Sequence, residues 1–192
     1  MYNTNALHLY RILLFLLAAL FSCNAPASKI LFHTEMGDMT IALFPHLPDP
    51  VNATIEQLSL ANQDSLSIEK VLQNGFIQLN VEVPMPEINA GKDQAPTSGT
   101  FLLHNGRFYI VQGREHSDDT LGKWEQSTGR KISKEFRERY KKHGGALQLE
   151  GKCFVLGKLV SGKATLDRIA AIPNDADGHP LRSVALHLEV LK

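Results

Sequence analysis

Cysteine and histidine are the residue types in this 192-residue chain best suited to nucleophilic or metal chemistry, and it holds two of the first, Cys23 and Cys153, and eight of the second. Two thiols are too few for a disulfide scaffold or a zinc site built mainly from thiolates. No His-x-x-x-His or Cys-x-x-Cys spacing occurs, so a metal site would need unrelated loops to converge, and no metal or cofactor is expected. Composition leaves a Ser–His–Asp arrangement open, but no nucleophile-elbow sequence accompanies it. Twenty basic residues balance twenty acidic ones, which removes the charge excess a nucleic-acid binder uses. With 43% hydrophobic and 21% charged residues the chain can bury a core of its own, and its length suits one domain.

Cys23 stands apart by position. A polar start ending in Arg11 is followed by an unbroken apolar run from Ile12 to Phe21, then Ser22 and Cys23. Ten apolar residues are too few for a spanning helix, which needs about 20; this is the proportion of a secretory signal peptide. Leu20-Phe21-Ser22-Cys23 resembles a bacterial lipobox, apart from the bulk of Phe21. The expectation is a signal peptide over residues 1–22, lipid attachment at Cys23, a tether over 23–28 and a folded domain over 29–192. That domain would sit in the bacterial cell envelope, on a membrane facing the periplasm or the cell surface. An ordinary cleaved signal or an uncleaved anchor are the alternatives. Cys153 would then be a lone thiol, kept inert by burial.

The elements that must position any site are mostly strands. Residues 30–34 and 39–44 read as a hairpin about the Gly37-Asp38 turn. Prolines 45, 48 and 50 stop the second strand. Val51, Ile55 and Leu58, with Leu60 as a further candidate, then give a helical stripe over 51–61. Strand patterns return at Ile68, Val71 and Leu72, at 76–79 and at 81–83. Residues 84–99, with three prolines and two glycines, read as a loop. Residues 101–103 and 108–112 are strands joined through His104-Asn105-Gly106. Between 115 and 145 the character turns helical, with Ser133 capping a helix over 134–142 that Gly144-Gly145 ends. Trp124 and Tyr140 in this stretch are expected to pack it onto the rest. Residues 154–160 form a strand, 164–171 a short helix with Leu166, Ile169 and Ala170 inward, and 184–190 a half-buried strand. The fold class is mainly β, a closed or nearly closed barrel with capping helices and a helical insertion at about 115–145.

In linear order these segments resemble the cyclophilins, a barrel family of peptidyl-prolyl cis-trans isomerases. Residues 34–45 with 47–51 are similar to the family's opening hairpin and its proline-rich helix entry. Gly75-Phe76-Ile77-Gln78 resembles its Phe-Met-Ile-Gln segment, and 106–113 its Gly-Ser-Gln-Phe-Phe-Ile strand. The most specific stretch is 149–162, similar to Leu-Asp-Gly-Lys-His-x-Val-Phe-Gly-x-Val-x-x-Gly, continuing through 167–171 and 177–181. The middle, between Gln78 and Arg107, is much shorter than in the family.

The resemblance implies an isomerase acting on proline-containing segments of unfolded or secreted proteins. Turning a prolyl bond requires loss of amide resonance against a barrier of about 18–20 kcal/mol. A donor aimed at the prolyl nitrogen favours the twisted state, in which that nitrogen becomes a better acceptor. The family's catalytic arginine falls on Lys70, which keeps the charge but lacks the planar fork. Its motif glutamine falls on Gln78 and its substrate-holding glutamine on Arg107. Its pocket residues fall on Gly75, Phe76, Tyr109 and Leu149, with Gly75 expected to leave a gap. Its tryptophan and histidine fall on Gln148 and Cys153. The catalytic candidates are therefore Lys70, Gln78 and Arg107, and the substrate-binding candidates Phe76, Tyr109, Gln148, Leu149 and Cys153. Weakened catalysis is the expectation, with Arg107 and Lys70 approaching one groove and one of them supplying the missing donor. A catalytically silent peptide- or protein-binding lipoprotein is the rival reading, and a passive envelope lipoprotein a third.

Overall fold

A computed structural model describes residues 28–60, 66–85 and 94–191. The expected signal segment and Cys23 lie outside the described residues. The chain opens with the hairpin of β1 (Lys29–Thr34) and β2 (Gly37–Leu43), in which Ile30 faces Ile41 and Phe32 faces Met39. All four are fully buried, as period-2 alternation over a one-sided core requires. Thr34 closes the turn, its hydroxyl donating to the Gly37 carbonyl at 2.7 Å and accepting from the Met36 N–H at 3.0 Å.

Helix α1 (Asp49–Leu60) follows, with Pro50 in its first turn and Val51, Ile55 and Leu58 buried. Leu60 is 83% exposed, which corrects the expectation that it joins this stripe. Nine residues beyond Val51 amounts to two and a half turns, so Leu60 emerges on the opposite side.

Strands β3 (Ile68–Leu72), β4 (Phe76–Glu82), β5 (Thr100–His104) and β6 (Arg107–Val111) come next. After the insertion come β7 (Phe154–Ser161), helix α4 (Lys163–Ala170) and β8 (Leu186–Leu191). All eight strands form one antiparallel sheet in the order β3-β4-β6-β5-β7-β2-β1-β8. The sheet curls until its edges meet. Ser67 bridges Ala185, the Ile68 N–H donates to the Val184 carbonyl at 3.0 Å, and the Leu186 N–H donates to the Leu66 carbonyl at 2.8 Å. Phe32, Phe101 and Phe108 fill the interior, with Phe101 and Phe108 stacked at 5.6 Å between ring centroids. Helices α1 and α4 bury their apolar faces in the same core.

The insertion forms two helices, α2 (Asp118–Thr128) and α3 (Lys134–His143). Ser117 and Ser133 cap their N-termini by accepting from the Thr120 and Phe136 N–H groups. Arg137 of α3 ties them together through Asp118 at 3.2 Å and Glu125 at 2.8 Å. Leu121, Ile132, Phe136 and Tyr140 form a separate apolar cluster with Leu147, against which Trp124 packs, so both aromatics of this stretch do pack inward. The stretch is locked to the barrel at Gly145, which bridges both Thr97 and Arg114. A Cβ added at Gly113, where φ is +68°, would lie 2.7 Å from the Gly145 nitrogen, so the two chains pass each other with no room for a side chain.

Candidate active site

Alternation in β4, β5 and β6 sends Ile77, Leu79, Phe101, Leu103, Phe108 and Ile110 inward. The residues between them face outward. Phe76, Leu102, Tyr109 and Val111 join Leu149, Cys153 and Val155 in a second apolar cluster on the outer surface of the sheet. Register fixes the pairs: Phe76 faces Val111, and Gln78 faces Tyr109. The Phe76 and Tyr109 rings meet edge to face at 5.0 Å, at 89° between planes. A short 3-10 turn, Leu147–Leu149, brings Leu149 into this cluster and leaves Gln148 exposed. Four of the sequence-predicted residues, Phe76, Tyr109, Leu149 and Cys153, thus form one apolar wall.

The expected gap beside Gly75 is closed by other residues. A Cβ built on Gly75 would lie 2.8 Å from Leu72 Cδ2 and 3.1 Å from Gln148 Nε2. Leu72 and the Gln148 amide therefore fill the space a larger side chain would take, and Gln148 reaches the site from this side.

A polar array borders the wall. Gln78 Nε2 donates to Glu69 Oε2 at 2.7 Å. Arg107 is paired with the same carboxylate through Nη1 and donates to Glu82 Oε2 through Nη2 at 2.9 Å. Glu69 and Arg107 are each about one third exposed, so a peptide can reach them. Glu69 was not among the predicted site residues. It lies next to Lys70, and in a regular strand neighbours point to opposite faces. The register shifts here, with Ile68 opposite Leu79 but Lys70 opposite Gln78, so two residues of β3 oppose one of β4. No residue spacing announces that bulge. The Lys70 stem lies against Gly178, in the loop flanking the edge of β3; a Cβ at Gly178 would be 3.2 Å from Lys70 Cγ. Arg107 and Gln78 share one hydrogen-bonded array through Glu69, while Lys70, directly opposite Gln78 in the register, packs its stem against Gly178.

The titrating groups set limits on the chemistry. Burial raises the pKa of Tyr109, with Arg107 opposing and Glu69 adding to the rise, so its hydroxyl stays neutral. Burial, reinforced by the Glu150 carboxylate, pushes the Cys153 thiol up to about 12. A thiol so placed is a packing group and not a nucleophile. Glu150 itself is raised by burial, against the pull of the Tyr140 hydroxyl and Arg130. Among the described residues Asp175, Asp177 and His179 bring possible ligand atoms within 4.8 Å of one another, but all three are exposed. Asp175 Oδ1 already accepts the backbone N–H groups of Asp177 at 2.9 Å and His179 at 2.8 Å, which is how this loop turns. The outer face of β4 and β6 offers an apolar wall for a ring beside donors for a peptide backbone, and this suits noncovalent chemistry.

No family model matches the chain. A protein from Staphylococcus epidermidis named as a candidate peptidyl-prolyl cis-trans isomerase is 25% identical over 182 residues, spanning 82% of this chain and 88% of its own. One of the same name from Staphylococcus aureus strain COL is 23% identical over 177 residues with the same coverage. The crystal structure of a cyclophilin-type peptidyl-prolyl cis-trans isomerase from Cryptosporidium parvum superposes with a TM-score of 0.55, at 14% identity, over 86% of this chain and 98% of that one. The same protein solved in the presence of the dipeptide Ala-Pro gives a TM-score of 0.51 at 15% identity over 85% and 97%. Fold and sequence relatives agree: the chain has a cyclophilin-like fold and is similar in sequence to proteins named as peptidyl-prolyl cis-trans isomerases.

Proposed function

We propose that this chain is a peptidyl-prolyl cis-trans isomerase that turns prolyl bonds in unfolded or secreted envelope proteins, with catalysis slower than the family's usual arginine allows. The observation that carries the reading is the shared outer face on which Phe76, Tyr109 and Leu149 form an apolar wall beside the Gln78–Glu69–Arg107 array. The proline ring would rest on the wall while the array holds the flanking backbone. Arg107 is assigned as the donor toward the twisted nitrogen because its guanidinium sits in the array with Glu69 and Gln78, whereas the Lys70 stem packs against Gly178. Slower turnover follows from what Arg107 must give up: its guanidinium is engaged by Glu69 and Glu82, and a donor already paired gains less in the transition state.

The apolar run ending at Ser22-Cys23 supports a lipid anchor at Cys23, which would hold the domain on a membrane of the bacterial cell envelope, facing the periplasm or the cell surface. Slow prolyl isomerisation can limit folding, so a tethered catalyst would act where exported chains fold. The second reading, a binding module without turnover, is favoured by the same double engagement of Arg107.

A protease-free isomerisation assay with varied residues before proline separates the readings. Acceleration that disappears in the Lys70→Ala/Arg107→Ala double variant supports the donor assignment, and activity retained in it overturns that assignment. Peptide binding without acceleration selects the binding module; absence of both selects a passive envelope lipoprotein.

A further inference from the structure

A second cavity, of about 270 Å³, opens where the insertion meets the barrel. Two cations and an imidazole converge on it from two elements: Lys158 from β7, and Arg139 and His143 from α3. Its apolar surface is supplied by Phe44, Ala95 and Val155. No carboxylate lines it among the described residues. Lys158 Nζ instead donates to Thr97 Oγ1 at 2.5 Å and to the Ser98 carbonyl at 3.4 Å. Among the described residues Arg139 meets an acid at Glu135 alone, on the outer surface of its helix, where an exposed pair contributes little, and its guanidinium lies over the Phe136 ring at 5.6 Å. Gln94 lines the same space, and its Oε1 is buried without a hydrogen-bond partner among the described residues. An amide turned over presents its NH2 group at that point instead.

We infer that this cavity is a binding site for a carboxylate carried on a short apolar stem, the size of one acidic side chain or one chain-terminal residue. The volume, about 270 Å³, lies just below the range of ligand cavities, about 300–1,000 Å³, and excludes large polyanions. The cations select negative charge, and the apolar lining selects hydrocarbon next to it. Among the described residues no carboxylate compensates this partly buried cation, and burial and then the like charge of Arg139 lower the Lys158 pKa to about 8. An entering anion supplies the missing partner through charge-assisted hydrogen bonds. The cavity shares Val155 and Phe44 with the apolar cluster behind the wall, but none of Phe76, Tyr109, Leu149, Gln78, Glu69 or Arg107 lines it, so butyrate binding is read separately from isomerase activity.

The test is a titration of the whole protein with butyrate and with its neutral isostere butyramide at constant ionic strength, following the Ala95, Val155 and Lys158 backbone amides by NMR. Butyrate should give saturable shifts at these positions and butyramide should not. Lys158→Met should weaken butyrate binding at least about tenfold, the scale of one charge-assisted hydrogen bond. Arg139→Met, on an exposed helix face, is the second variant if the first fails to fold, and should weaken it in the same sense. Equal response to the two probes, or undiminished butyrate binding in a folded variant, overturns the proposal. An end-blocked peptide with one glutamate and a neutral peptide with a free C-terminus then identify the source: binding of the first assigns an acidic side chain, binding of the second a chain terminus. Butyrate binding with neither peptide assigns a free small acid.

Discussion

The Gln78 side-chain amide donates to the Glu69 carboxylate at 2.7 Å, although Glu69 has no directly opposed residue in the β3–β4 register. The bulge that leaves Glu69 unpaired is what delivers it to the site, where it also holds Arg107. An acid therefore stands beside Lys70, the position on which the resemblance places the family's catalytic arginine, and in the proposed function it would compete with substrate for the donors Gln78 and Arg107.

Replacing Glu69 tests that competition. Glu69→Gln keeps a group that Gln78 can bond and removes the charge that holds Arg107. Isomerisation should rise about threefold to tenfold, corresponding to about 1 kcal/mol off the barrier. Adding Arg107→Ala should erase the gain. If Glu69→Gln instead falls to the level of Arg107→Ala alone, Glu69 positions the arginine and does not sequester it.

The buried pair of Tyr140 and Glu150 predicts a pH-dependent stability. Tyr140 is fully buried and its hydroxyl donates to the Glu150 carboxylate, itself 8% exposed. Because burial raises the folded pKa of Glu150 above its ordinary 4.5, its contribution to stability is fullest below that value and is lost as pH rises through the folded pKa. Tyr140→Phe removes a partner of the ionised form, so that loss should steepen. Chemical denaturation should show it to be about 1–3 kcal/mol less stable at neutral pH, shrinking toward zero once the carboxyl is protonated. An equal deficit at about pH 4 and about pH 8 would show that the hydroxyl acts by packing alone.

Two glycines separate backbone conformation from crowding. Gly113 and Gly129 share φ of +68°, but a Cβ at Gly129 meets nothing within 4 Å whereas one at Gly113 collides with the Gly145 backbone. Gly129→Ala should lose about 1–2 kcal/mol, the strain of the left-handed region for a residue with a side chain. Gly113→Ala should lose at least about 2 kcal/mol more, because backbone cannot step aside as a side-chain tip can. Equal midpoints in urea would sink the claim that the insertion is locked to the barrel at that crossing.

The barrel was legible wherever residue chemistry acts locally. Asn105 and Gly106 adopt positive φ in the β5–β6 turn their types suggest, and Ser133 caps the helix whose start it marks. The alternation that buries Phe108 and Ile110 also sends Tyr109 outward to meet Phe76. Contacts between distant segments were not legible. Nothing in residues 66–83 announces the bulge that admits Glu69, because a register shift depends on both strands. Glycine at position 75 suggests a hollow, and only folding reveals that Leu72 and Gln148 occupy it. Lys158 carried no signal in the chain; its meaning comes from Arg139 and His143, brought near it by a helix pair inserted before β7.

The edge of β3 has a further consequence for how peptides can bind. Past its bridge to β8, the Val71 N–H donates to the Gly178 carbonyl at 2.8 Å, and its carbonyl accepts from Asn174 Nδ2 at 2.7 Å. A peptide therefore cannot extend the sheet by adding a strand at Val71, as strand-capturing domains do at an open edge. In the proposed function, a peptide would lie across the outer face, against the wall of Phe76, Tyr109 and Leu149. On that reading, side chains would carry the contact at this point of the edge in place of added backbone pairing.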